Sequence, residues 1–87
     1  MDRMKLIIGI LTGVGVNPDD MAPARRRSGA LDVAFTTDKA DKIVKANADR
    51  IERETHAAGH QWAVKFIGGH PYVTDVLTIN LPDARRR

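Results

Sequence analysis

Residues 36–59 carry the one complete set of helix signals in the chain, and they limit what the rest can do. Thr36 or Thr37 can N-cap, because a threonine hydroxyl accepts from the orphan N–H groups of a first turn. Asp38 and Asp41 follow, where the positive end of the helix dipole favours carboxylates. Arg53 and His56 sit near the other end, and Gly59 suits the C′ position. Three acid-before-base pairs lie four apart, Asp38–Lys42, Asp41–Lys45 and Asp49–Arg53, each contributing about 0.2–0.5 kcal/mol on an exposed face. Ala40, Ile43, Val44, Asn47, Ile51, Thr55 and Ala58, with Ala48 beside them, form a narrow stripe of mostly small residues. Such a stripe fits one-sided packing on a sheet. Asn47 interrupts it, either as an edge residue or as a buried amide that bonds a backbone or a partner chain.

The flanking segments are shorter and read as strands and loops. Residues 6–16 are almost wholly apolar, with Thr12 the exception. Eleven residues are too few to span a bilayer as a helix, which takes about 20. The run has the length of a leader core, but Asp2, Asp19 and Asp20 argue against secretion. Its isoleucines and lack of alternation point to a strand covered on both faces. Gly13-Val14-Gly15 begins like a dinucleotide loop, yet Val16, Asn17 and Pro18 follow where a third glycine and a helix are required. A strand end with a bend is the simpler reading. Residues 17–29, with two prolines and three arginines, read as a loop. Leu31, Val33 and Phe35 alternate with Asp32 and Ala34 as a half-buried strand.

After Gly59, Trp62, Val64 and Phe66 share one face. Residues 68–71 read as a turn and 72–81 as a strand. A four-residue loop would set Phe66 opposite Val73 and Trp62 opposite Leu77. Asp75 then falls on the apolar face, marking a subunit contact, a wet edge or a register slip. The expected class is α+β: one long helix on a small, mostly antiparallel sheet of three or four strands, in the order β-loop-β-α-β-β. It forms a single domain over 1–87, with a basic loop at 17–29 and a basic tail at 83–87.

Composition narrows function more than it selects one. Of 87 residues 43% are apolar, but 11 of these are alanine, so the core is thin and a monomer is marginal. The open face of the sheet calls for another subunit. The absence of cysteine removes disulfides, a thiolate nucleophile and Cys-based zinc sites. His56 and His60 are four apart, but Gly59 ends the helix between them and a site would need a third ligand, His70 or Asp75, so no metal or other cofactor is expected. Only Ser28 and scattered threonines offer hydroxyls, and no base accompanies them; an enzyme is not expected. The net charge of +3 is unevenly placed, with Arg25, Arg26, Arg27 and Arg85, Arg86, Arg87 making up six of 14 basic residues. These six are the candidate partner-binding residues, since three adjacent guanidinium groups cannot be buried unpaired.

The helix at 38–58, rich in Ala, Asp, Lys and Arg, followed by Gly59 and a hairpin over 62–81, resembles small tailed-phage virion proteins of the neck, head-to-tail connector or tail-completion type. The resemblance spans about half of the chain and rests on element order; no functional residue transfers. It implies a ring-forming structural protein whose loops and termini bind neighbours, located in the host cytoplasm or the virion. The expected function is therefore a non-enzymatic assembly protein acting in an oligomer. Its expected partners are other copies and other protein subunits, with no membrane. The alternative is a small basic nucleic-acid-binding module, for which the arginine runs supply phosphate contacts.

Overall fold

The computed structural model describes residues 3–27 and 29–75. They run as α1 (Arg3–Gly13), a one-turn 3-10 helix (Pro18–Asp20), β1 (Met21–Arg25), β2 (Leu31–Phe35), α2 (Asp38–Ala46), α3 (Ala48–Ala57), β3 (Trp62–Ile67) and β4 (His70–Asp75). The strands form one antiparallel sheet in the order β1-β2-β4-β3. The α+β class is as expected; the single long helix and the strand at 6–16 are not.

The apolar run at 6–16 belongs to α1 and its cap. Ile7 and Leu11 are fully buried, and Met4, Ile8, Ile10 and Val14 pack partly against the same core. Met4, Ile7, Ile8, Leu11 and Val14 follow the spacing of one helical face. Periodicity alone does not separate a buried helix from a buried strand, but a run of this length exceeds the usual strand. The glycine pair resolves as a cap. Gly15 has φ +112°, its N–H donates to Thr12 O, and the Val16 N–H donates to Leu11 O. That is a Schellman ending, with Leu11 and Val16 both buried.

The organising segment is two helices. Thr37 caps α2, its Oγ1 accepting from Ala40 N at 3.1 Å. Asn47 divides the segment: it is the C-cap of α2 and precedes the first residue of α3, with φ −118° and ψ 18°. Its side-chain amide donates to Ile43 O at 2.8 Å, competing with the helical ladder. The expected stripe survives the break, since Ala40, Val44, Ile51 and Thr55 are all buried. α3 ends as a second Schellman motif, with Gly59 at φ +89° and His60 N donating to Thr55 O. Among the described residues the helix ion pair is Arg50–Glu54, not the three expected pairs; Asp41 turns inward instead.

All the buried sheet residues of the apolar core, Met21, Leu31, Val33, Trp62 and Val73, lie on one face, against Ile7, Leu11, Val44 and Ile51 of the helices. The β3–β4 register is Trp62↔Asp75, Val64↔Val73 and Phe66↔Pro71. It differs from the expected pairing by two residues, which leaves every side chain on its expected face. The cause is a two-residue turn. Gly68 and Gly69 have φ +57° and +86°, the double positive φ of a type I′ turn. Phe66, expected in the core, is consequently carried out to the hairpin tip and is 53% exposed. The rest of the strand expected at 72–81 lies outside the described residues beyond Asp75.

β1 arises within the expected loop at 17–29, and Pro23 is why it was not legible as a strand. Asp20 O accepts from Thr36 N, and Arg26 N donates to Ala30 O. The alternating ladder therefore bonds through even-numbered residues, and Pro23 turns its missing N–H to the free edge. On the opposite edge, Ile67↔His70 closes the hairpin, so Val64 N–H points outward; the Glu52 carboxylate of α3 accepts it at 2.9 Å. Lys65 adds a charge in the middle of that strand. Both edges thus carry features that oppose strand addition. Pro71 also lacks the N–H that would extend the β2 ladder, and that pairing ends at Val33↔Val73.

Gly9 lies in the interior of α1 with nothing within 4 Å of the position a Cβ would take. Gly9→Ala is expected to stabilise by about 0.5–1 kcal/mol, read as a rise of a few degrees in thermal midpoint. An unchanged or lowered midpoint would show that this helix face is not free.

Candidate functional site

The arginine run at the β1–β2 connection divides in the structure. Arg25 ends β1 opposite Leu31, and Arg25 and Arg27 are exposed. Arg26 instead lies over the outer face of the sheet, the face without helices. Its Nε donates to Asp32 Oδ2 at 2.6 Å, while Thr74 Oγ1 donates to Asp32 Oδ1 at 2.6 Å. The hydrogen bond that Arg26 donates to Asp32, and then the Asp32 charge, raise the Arg26 pKa above the ordinary arginine value, with a smaller contribution from the Tyr72 hydroxyl. Asp32 thus joins the turn, β2 and β4 through one carboxylate. Of the six candidate residues, Arg26 is tied into the fold and Arg25 and Arg27 face solvent. Arg85, Arg86 and Arg87 lie outside the described residues, as does Ser28.

Asp75, the apparent misfit on the apolar face, sits opposite Trp62 and is 2% exposed. Its partner is Arg3 at the start of α1, whose guanidinium reaches the Asp75 carboxylate. The charge is therefore met within the chain. Because α1 was not expected to be a helix, no sequence signal placed Arg3 there.

A third acid is also drawn inward. Asp41 is buried on α2, and its Oδ2 lies 3.0 Å from Nδ1 of His70, at the base of the hairpin tip. Asp41 Oδ1 and Trp62 Nε1 are buried without a hydrogen-bond partner. Asp41 is engaged inside the protein, so the solvent side of α2 presents Lys39, Lys42 and Lys45 against Asp38 alone. The sequence count of five acids and five bases over 38–57 conceals this imbalance. Phe66 and Ile67, 53% and 66% exposed, are the large apolar side chains left uncovered among the described residues.

His56 is exposed in the last turn of α3, and His60 follows the Gly59 cap. Among the described residues no three His, Cys, Asp or Glu side chains gather as a metal-ion site. No helix among them is long and apolar enough to cross a membrane. Comparison of the chain with family models, curated proteins and solved structures finds no match.

Two measurements test these assignments. Alanine at Arg25 or Arg27 should leave the thermal midpoint almost unchanged. Arg26→Ala should cost about 0.5–1 kcal/mol, a value limited by solvent screening of a part-exposed pair. Equal effects at all three positions would contradict the division. In the second, Arg3→Met alone should destabilise by about 3 kcal/mol, since it removes a partner of a buried carboxylate. Adding Asp75→Leu should recover much of that loss in urea melts; a purely additive double variant would show that the two side chains do not act as a pair.

Proposed function

We infer that this protein is a non-enzymatic assembly subunit that works in an oligomer, of the kind the small tailed-phage virion proteins represent. The observation that carries this reading is the outer face of the sheet. Among the described residues α1, α2 and α3 pack on the inner face, while Ala22, Ala24 and Ala34 stand exposed on the outer one, side by side on β1 and β2. Small side chains make that surface flat and allow close approach of a second layer, the way sheets pack face to face. Pro23, Lys65 and Glu52 oppose strand addition at the edges, which favours association through the face rather than by sheet extension. At the β1–β2 turn the exposed Arg27 offers a planar fork to carboxylates of a neighbouring subunit, while Arg25, opposite Leu31, projects to the helix side of the sheet.

Placing a long charged side chain in the centre of the face tests the reading. Ala34→Arg, directly opposite Ala22 across the ladder, should leave circular dichroism unchanged because the site is exposed. Light scattering should then show the oligomer reduced to monomer. A wild-type protein that is already a stable monomer, or an Ala34→Arg oligomer of unchanged mass, would overturn it. Titration with duplex DNA at two salt concentrations separates the nucleic-acid alternative, which requires affinity that falls steeply with salt.

A further inference from the structure

The end of the sheet opposite the β1–β2 turn has a different chemistry. There the β3–β4 hairpin finishes in Gly68-Gly69, preceded by Phe66 and Ile67. Consecutive strand residues project to opposite faces, so these two side chains stand out on both sides of a thin two-stranded tip. The tip is also bordered by positive charge. The His70–Asp41 contact holds the first half of α2 beside the hairpin, and the exposed side of that helix carries Lys39, Lys42 and Lys45. Lys65 is exposed next to Phe66. Asp41, the acid that would balance these lysines, is the one drawn inward.

We propose that the hairpin tip inserts Phe66 and Ile67 into the interface of an anionic lipid bilayer while the α2 lysines and Lys65 rest on its headgroups. A flat protein surface covers only one of the two apolar side chains. A second copy docking through the same patch brings lysines against lysines, because a two-fold contact matches a surface with itself. Nucleic acid accepts Phe66 by stacking but offers nothing to Ile67, which has no π-face. The boundary between headgroups and acyl chains takes apolar groups from both faces of the tip at once, and a ring of lysines is suited to a diffuse negative surface. Lysine, as a flexible point charge, fits that surface better than the bidentate geometry of arginine. This is adsorption, not spanning, so it does not depend on the length of α1. Phe66 and the α2 lysines lie on the helix side of the sheet, whereas Lys65 and Ile67 rise at the hairpin end of the same side as the alanines assigned to assembly.

The test is flotation of the full chain with vesicles of phosphatidylcholine alone and of phosphatidylcholine mixed with phosphatidylglycerol. Binding is expected only to the mixed vesicles and should weaken as salt screens the headgroup charge. Phe66→Ser with Ile67→Ser should weaken partition by about tenfold or more, since burial of apolar area is lost. Both sites are exposed, so circular dichroism should not change. Lys42→Ala and Lys45→Ala should each weaken it by about fivefold. Lys5→Ala removes the same charge from α1, whose first turn meets Asp75 at the far end of β4, and should have a smaller effect. Failure to bind the mixed vesicles overturns the proposal. So does binding that the Phe66/Ile67 double variant leaves intact, or binding that falls equally with Lys5 and Lys42, since either reports general charge attraction without insertion.

Discussion

A single apolar layer holds this protein together. Trp62, Val73, Val33 and Leu31 from the inner face of the sheet meet Ile7, Leu11, Val44 and Ile51 from the helices, all at most 1% exposed. Val16 and Met21 complete this layer, and Met4, Ile8, Ile10, Val14, Phe35, Ile43 and Val64 pack partly against it. On the outer face, among the described residues, Ala22, Ala24 and Ala34 stand exposed. The capping glycines serve the same layer. Gly15 and Gly59 stop α1 and α3 in left-handed conformations that turn the chain back toward the core.

The acids show how a core changes the meaning of a charge count. Asp75, Asp41 and Asp32 each bond a partner far away in sequence: Arg3, His70, and Arg26 together with Thr74. Each ties together elements that the apolar layer only holds in contact, α1 to β4, α2 to the hairpin, and the first turn to the centre of the sheet. A buried carboxylate is costly without such a partner. The gain is geometric definition more than net stability.

Association is constrained from another direction. An open four-stranded sheet presents two edges, and unpaired edges recruit other strands without discrimination. Here a proline at one edge and a glutamate carboxylate and a lysine at the other remove or screen the backbone groups that would serve as templates. What remains available is the flat outer face and the two-residue hairpin tip. These differ in shape and charge.

Much of this was legible in the residues themselves. The Thr37 cap, the Gly59 ending, the buried stripe through Ala40, Val44, Ile51 and Thr55, the strand at 31–35 and the faces of the β3–β4 hairpin all follow from local hydrogen-bonding needs and side-chain period. These are properties of a few neighbouring residues, and sequence states them directly. The register of the hairpin was present too, in Gly68-Gly69, but Pro71 disguised it by looking like part of the loop. The apolar pattern of the first segment fits a buried strand as well as a buried helix, and only its length favours the helix that residues 3–13 form. Pro23 as an edge residue and the partners of Asp75, Asp41 and Arg26 were decided by tertiary structure alone. Each depends on a group 6 to 72 positions away or on which side of a strand is left unpaired. Local chemistry fixed the elements and their faces; long-range burial of charge and backbone decided how they meet.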